Sequence, residues 1–531
     1  MDNDPYVSNN PYSGTVNFMS IKKVFRFPFH PFLFGIFPAV SFLANNIEEV
    51  LPGAAFRIFL IVLAGVLLLF ILLSILQRDW HKSAFLVTIF LILFFSYGHL
   101  YNSLKQTSLF GIAIGRHRYL SFINLLILML GWRWVIKHQR TAAHTISLNI
   151  LGTVLLLLPL LQIAWYQIRF RSTIAPLKDS DTQLSAIDPN SNTPDIYYII
   201  LDAYTRDDTM RSFYEFDNTP FLETLEDRGF YVAPCSQSNY AKTNLSLAST
   251  LNLNYVQDIY DQKQTSGLAK LVQNSLVRKK LEKLGYSVVA FETTYIPTRW
   301  EDATIYYSFE EAYYDQPKLF KGFSEFEAMF TRTTGALILL DVDTILKARL
   351  QMLTDEGPKR ERYDRILYNL DLLIDVPSIP GPKFVYAHIN APHEPYIVDK
   401  NGGFLADQEE YIPGYRDQVM YINNRILPII DNILSKSEQP PIIILQGDHG
   451  GGETWGDFRR MHILNAYYLP EGGAPRLYPT ITPVNTFRII FDFYFGSNYG
   501  LLPDISYYSH WRDNFNFTIA PNTRVDCEYP K

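Results

Sequence analysis

Four uninterrupted apolar stretches, Phe56 to Leu76, Ser83 to Tyr101, Tyr119 to Ile136 and Ile146 to Ile168, constrain this chain more than any other feature. Each approaches the ~20 residues an α-helix needs to cross a bilayer, where every backbone polar group must be satisfied inside the helix. A fifth stretch, Phe32 to Val50, is weaker. It contains Pro38 and ends in the polar run Asn45-Asn46-Ile47-Glu48-Glu49, yet its length and the flanking Lys22, Lys23 and Arg26 favour insertion. A buried core helix is the alternative for that stretch and does not suit the other four. The N-terminus lacks the short apolar region and small-residue cleavage site of a signal peptide, so the spans are expected to persist as anchors. Basic residues divide almost evenly between the two sides, and five crossings from an N-terminus inside would place the C-terminal part outside the cytoplasm.

All of these runs lie before residue 170, so the overall 48% of hydrophobic residues averages two unlike halves. A chain of 531 residues is also too long for one ordinary core. The boundaries expected are a transmembrane region over 1–171, a linker over 172–194 and a catalytic domain over 195–531. Ser172 to Pro194 has no aromatic residue and is rich in Ser, Thr, Asp, Asn and Pro, as a solvated linker should be. The C-terminal part opens with Asp195-Ile-Tyr-Tyr-Ile-Ile-Leu201, too continuous for a surface strand and suited to a sheet buried on both faces. Helical spacing over Gly267 to Leu284 leads into a strand at Tyr286 to Phe291, and Tyr415 to Leu434 leads into Ile442 to Leu445. The fold class is therefore an N-terminal α-helical transmembrane bundle followed by an α/β domain with a mainly parallel sheet between helices. A net charge of -6 supplies no basic face for nucleic acid. Cys235 and Cys527 are the only cysteines, too few for a thiolate metal cluster, though one disulfide can form if the domain lies outside the cytoplasm.

In parallel sheets ligands bind beyond the carboxyl ends of the strands, and two acids sit there. Asp202 directly follows Ile199-Ile-Leu201, and Asp448 follows Ile442-Ile-Ile-Leu-Gln-Gly447. His449 comes next, ahead of Gly450-Gly451-Gly452, whose bare backbone lets a ligand approach closely. Two carboxylates and an imidazole suit a borderline-hard cation, Zn²⁺ or Mn²⁺. Asp202 alone could equally be a helix N-cap. Asp448-His449 before three glycines is harder to read as capping.

These segments resemble a known family. Asp195-Ile-Tyr-Tyr-Ile-Ile-Leu-Asp202, Lys242-Thr-Asn-Leu-Ser246, His388-Ile-Asn-Ala-Pro-His-Glu-Pro-Tyr396 and Gly447-Asp-His-Gly-Gly451 stand in the order seen in the sulfatase-like branch of the alkaline phosphatase superfamily. A multi-span anchor before such a domain is similar to the lipoteichoic acid synthases and lipid A phosphoethanolamine transferases. The resemblance implies a phosphotransferase acting on a lipid or lipid-linked substrate. It makes Asp202, Asp448 and His449 metal ligands, and Thr243 both nucleophile and metal contact. His393 and His462 would contact the transferred group, while His388 is read as a satisfied strand histidine. One tight metal with a weaker second one is expected. Arylsulfatases carry two adjacent acids where this chain has Asp202-Ala203, and a modified Cys or Ser within Cys-x-Pro-x-Arg where this chain has Cys235-Ser-Gln-Ser-Asn239. Sulfatase chemistry is accordingly not expected.

Thr243 also has a physical case. A free hydroxyl is a poor nucleophile near pH 7, and a cation is one of few means of activating it. Asn244-Leu-Ser-Leu-Ala-Ser-Thr-Leu251 reads as a helix start, which would set the Thr243 hydroxyl at a helix N-terminus. Ser246, Ser249 and Thr250 compete for the role, and a plain N-cap cluster is the bland reading. The rival functions are a hydrolase on the same site, either a phosphodiesterase or a sulfuric ester hydrolase, and an inactive transporter or binding module.

Overall fold

The computed structural model describes residues 25–47, 50, 52–109, 112–137, 141–172, 193–260, 267–313, 324–340, 356–407, 410–452, 457–510, 513–522 and 527. The linker read over 172–194 lies almost wholly outside these residues. Two compact units emerge, one comprising Met1–Asn46, Pro52–Ala164 and Phe326–Leu350, the other Ile47–Leu51, Trp165–Glu325 and Gln351–Lys531.

In the first unit the apolar stretches become α1 (His30–Asn45), α2 (Phe56–Gln77), α3 (Trp80–Leu104), α4 (His117–Lys137) and α5 (Thr141–Ser172). Asp79 starts α3 as its N-cap, its side chain accepting from the backbone N–H groups of His81 and Lys82. Four helical segments are long and apolar enough to cross a membrane: Pro52–Gln77, Trp80–Leu104, His117–Lys137 and His144–Ile168. Their outer faces present Leu68, Leu72, Leu125, Met129, Leu158 and Leu161, as a lipid-facing surface requires. The weaker fifth stretch forms only α1, 16 residues with Pro38 inside. At ~1.5 Å per residue it reaches about 24 Å, short of the ~30 Å hydrocarbon core. Phe326–Leu350, which falls inside the span read as the catalytic domain, groups instead with these helices. Glu327 makes a two-point ion pair with Arg57, one contact being Arg57 Nε to Glu327 Oε1 at 2.6 Å. The Gly98 N–H donates to the Thr333 carbonyl at 3.1 Å.

In the second unit the strands of the main sheet are β1 (Ile196–Leu201), β2 (Tyr231–Val232), β3 (Ser287–Phe291), β4 (Ile305–Tyr307), β5 (Lys383–Ile389), β6 (Ile442–Gln446) and β7 (Asn465–Tyr468), and Tyr507–Tyr508 pairs separately with Thr518–Ile519. The seven strands of the main sheet stand in the order β2-β7-β6-β1-β5-β3-β4. All neighbours pair in parallel except β6 with β7 and β7 with β2. The mainly parallel α/β fold is what the alternation of strand and helix signals requires. Every residue of β1 is buried. Tyr197, Ile199 and Leu201 face α7 (Gly357–Leu373) and α8 (Tyr411–Lys436), while Ile196, Tyr198 and Ile200 face α6 (Thr243–Leu251) and α9 (Pro483–Tyr494). Burial on both sides explains why the strand reads as an unbroken apolar run. The single helix expected over Gly267 to Leu284 is two, Leu268–Gln273 and Leu276–Lys283. Ser275 caps the second, accepting from the Arg278 N–H, so the periodicity continues while the backbone turns.

Candidate metal and phosphoryl-transfer site

Parallel register assembles the centre of the site. β1 pairs Leu201 with Ile389 of β5 and Ile200 with Gln446 of β6. Continued past the strand ends, that register sets Asp202 level with Asn390 on one side and Asp448 on the other. The turn that follows is tight. Ala203 takes a left-handed backbone at φ 63°, and its N–H donates to Asp448 Oδ1 at 3.1 Å. Asn390 Nδ2 donates to Asp202 Oδ2 at 3.3 Å.

Three imidazoles converge on these carboxylates. His388 Nε2 lies 3.6 Å from Asp202 Oδ2. His449 Nε2 lies 3.7 Å from both Asp202 Oδ1 and Asp448 Oδ2. His393 completes a set with Asp202 and His449, while His388 completes one with Asp202 and Asp448; in each set the candidate ligand atoms lie within 4.8 Å of one another. The His393 loop is held by Arg362, whose Nη2 donates to the Asn390 carbonyl at 2.9 Å and the His393 carbonyl at 3.2 Å. Tautomers follow from the second ring nitrogens. His449 Nδ1 donates to the Gly450 carbonyl at 2.9 Å and His393 Nδ1 to the Glu394 carbonyl at 2.7 Å, leaving each Nε2 as a lone-pair donor.

The residues fit a divalent cation. Asp202 Oδ1, Asp448 Oδ2 and His388 Nε2 are buried without a hydrogen-bond partner, which for carboxylates is costly unless a charge compensates. The spacings of 3.6–3.7 Å are too long for hydrogen bonds but close to the about 3.3–3.6 Å between ligand atoms held at about 2.0–2.2 Å around a tetrahedral ion. Burial disfavours the Asp202 carboxylate, yet His393, His388 and His449 more than offset this and hold it well below the usual carboxylate range. Burial pushes His449 down, which keeps the imidazole in the neutral form a cation needs.

A scan of protein-family models matches none of them to this chain, and a search of curated proteins finds no match. Solved structures do match. The chain is similar to the C-terminal periplasmic domain of EcEptC from Escherichia coli in complex with Zn, with TM-score 0.37 and 12% identity, covering 60% of this chain and 91% of that one. It is similar to lipooligosaccharide phosphoethanolamine transferase A from Neisseria meningitidis, with TM-score 0.34 and 12% identity over 84% of this chain and 89% of that one. A third similarity is to the lipoteichoic acid synthase LtaP from Listeria monocytogenes, with TM-score 0.36 and 13% identity over 58% and 73%.

Thr243 is the first residue of α6 and is half-buried. The rival hydroxyls on that helix lie deeper. Ser249 Oγ donates to the Asn254 carbonyl at 2.8 Å, Thr250 Oγ1 to the Ser246 carbonyl at 2.9 Å, and Ser246 is buried. Arg460 bridges this helix start and the cation ligands, its Nη2 lying 3.4 Å from the Ala241 carbonyl and 3.4 Å from His449 Nδ1. Because His449 Nδ1 carries a proton for Gly450, the second contact is the approach of a cation rather than a hydrogen bond.

His462 falls in neither ligand set. Its Nδ1 meets Thr209 Oγ1 at 2.7 Å, and its carbonyl accepts from Thr205 Oγ1 at 3.0 Å. Burial, then the nearby Arg206 charge, lowers its pKa to about 4. The glycines after His449 also answer to the protein itself. A Cβ at Gly450 would stand 2.3 Å from the His462 carbonyl oxygen, and one at Gly451 would stand 2.2 Å from the Tyr214 hydroxyl. Close approach is indeed the reason for them, but the approaching groups are backbone and tyrosine rather than ligand alone. Sequence reasoning passed over Asn390 and Arg460 and read His388 only as a satisfied strand histidine. His388 does sit in a strand and bonds Thr298 Oγ1 at 3.0 Å through Nδ1; only its other nitrogen reveals a second task.

Proposed function

We propose that the chain is a membrane-anchored, metal-dependent phosphotransferase that moves a phosphoryl-type group through a covalent intermediate on Thr243. The observation that carries this reading is the set of two buried carboxylates and three imidazoles, of which Asp202 Oδ1, Asp448 Oδ2 and His388 Nε2 are buried and unpartnered, with Arg460 between His449 and the approach to α6. Asp202, Asp448 and His449, with His388 or His393 alongside, would hold Zn²⁺ or Mn²⁺. Bound there, the cation supplies Lewis-acid polarisation of a phosphoryl oxygen and favours ionisation of a nearby hydroxyl.

Thr243 Oγ1 forms a bond to phosphorus as the bond to the donor oxygen breaks, and the proton lost from Thr243 ends on the departing alcohol. An acceptor hydroxyl then attacks the same phosphorus, the Thr243 bond breaks, and the hydroxyl is restored. The backbone N–H groups at the start of α6 face the anionic oxygens that develop. His393, half-buried beside His449, is the side chain proposed to hold oxygens of the transferred group. His462 supports the loop of Asp448 and His449 through the carbonyl on which Gly450 packs. Four helices able to cross a membrane favour a lipid or lipid-linked donor or acceptor. The disulfide between Cys235 and Cys527 favours a catalytic unit outside the cytoplasm.

A hydrolase on the same site differs only in using water in the second half. Full-length protein in detergent, loaded with zinc and given bis(4-nitrophenyl) phosphate with glycerol, separates the two. A transferase yields a glycerol phosphodiester, whereas a hydrolase yields only the monoester. Equal turnover with and without a chelator would remove the metal from the mechanism.

A further inference from the structure

The residues that lead into Thr243 have no regular structure of their own, since Cys235 to Lys242 run through turns and isolated bridges. The last part of the chain holds them. Cys235 is bonded to Cys527, and its carbonyl accepts from Asn522 Nδ2 at 2.8 Å. Gln237 Nε2 donates to the Pro521 carbonyl at 3.3 Å, and Ser506 Oγ donates to the Ser238 carbonyl at 2.8 Å. The Tyr507 N–H donates to the Asn239 carbonyl at 2.8 Å. Ala241 is buried in a cluster with Tyr508 and Ala520. Lys242 Nζ donates to the His510 carbonyl at 2.9 Å and to the Asn514 side chain.

The body of α6 is fixed separately, by Leu245, Leu247 and Leu251 in the core beneath the sheet. The approach to its first residue is therefore held in large part by the tail, alongside the Cys235 N–H to the Pro479 carbonyl at 3.0 Å and Ser236 Oγ to the Ile481 carbonyl at 2.6 Å. We infer that the described part of the C-terminal tail, residues 505–510, 513–522 and Cys527, is a positioning strap that fixes the Thr243 hydroxyl, with the Cys235–Cys527 bond as its covalent pin. This rests on the reading of Thr243 as nucleophile. The candidate cation ligands come from the ends of β1, β5 and β6, elements outside the strap. Loosening the strap should thus misplace the nucleophile while sparing the metal, and a displacement of about 1 Å is enough to cost about 100-fold in rate.

The test compares full-length, zinc-loaded wild type in detergent with a Cys235→Ser/Cys527→Ser double variant and with Asn514→Ala, which keeps the disulfide. Amide hydrogen exchange, zinc content and turnover of bis(4-nitrophenyl) phosphate are read on each. In the double variant, exchange over 236–245 should rise by about tenfold or more while that of β1, β5 and β6 stays unchanged. Zinc should be retained, and kcat should fall by about tenfold or more with KM within about twofold. Asn514→Ala should shift exchange and kcat the same way by a smaller factor, which keeps the test decisive if the double variant fails to fold. Wild-type exchange over 236–245 in the variants, or a fall in kcat that tracks lost zinc, would overturn the strap. If wild type does not turn over the probe, the nucleophile reading fails and the exchange comparison alone decides.

Discussion

At the scale of single residues, the shared position of Asp202 makes the sharpest distinction. It belongs to both candidate ligand sets, whereas His462 belongs to neither. Asp202→Asn should therefore lower zinc in the dialysed protein to below about a tenth of wild type, since it removes a charge the site is built around. His462→Ala should leave zinc unchanged. Elemental analysis checks both, and stoichiometric zinc in Asp202→Asn would remove the site. His462 should show itself in acid instead. Its folded pKa is depressed to about 4, while an unfolded histidine titrates near about 6.5. The unfolded chain thus takes up the proton first, so the stability this residue contributes is complete above about pH 6.5 and is lost as pH falls toward about 4. Melting temperatures between pH 7 and pH 4 should fall less steeply in His462→Gln than in wild type. Residue by residue, the acids were legible because strand ends announce themselves by a break in an apolar run. His388 was not, because one imidazole nitrogen serving Thr298 looks identical in sequence to two satisfied nitrogens.

Among the elements, the turns at the carboxyl ends of β1 and β6 carry the candidate cation ligands Asp202, Asp448 and His449. Ala203 occupies a left-handed conformation that favours glycine, with φ at 63°, so Ala203→Gly should stabilise the protein by about 1 kcal/mol in denaturant unfolding, with Asp448 still bonded to the same N–H. Gly450→Ala should do the opposite. Its new Cβ has the His462 carbonyl oxygen at 2.3 Å, and the shift required should cost about 1–3 kcal/mol and weaken zinc binding together. A Gly450→Ala protein with unchanged stability and zinc would mean that the turn gives way freely. β1 was legible as an unbroken apolar run because it is buried on both faces, and α8 from periodicity because one face of it packs in the core. The split at Ser275 was not, since Leu268, Val272 and Leu276 keep helical spacing across a capped break. Nor was the tail beside Cys235 to Lys242, which pairs residues some 270 positions apart.

For the whole molecule, the number of crossings fixes which side of the membrane the catalytic unit occupies. Four crossings from an inside N-terminus would leave it inside, where a disulfide between Cys235 and Cys527 would be reduced. The disulfide and an outside catalytic unit are compatible if α1 also inserts, or if the N-terminus itself lies outside. Reporters fused before residue 1 and after residue 531 distinguish these arrangements, and the fusion after residue 531 should be active only outside the cytoplasm. Cytoplasmic activity there would remove the proposed access to an external lipid-linked substrate.

The most direct measurement is a peptide mass map of zinc-loaded, full-length protein quenched during turnover of bis(4-nitrophenyl) phosphate. A phosphoryl adduct should be found on Thr243, and Thr243→Ala should keep most of the zinc while turnover falls on the order of 1000-fold, with Thr243→Ser recovering part of it. An unmodified Thr243 together with near-normal turnover in Thr243→Ala would contradict covalent transfer through this residue.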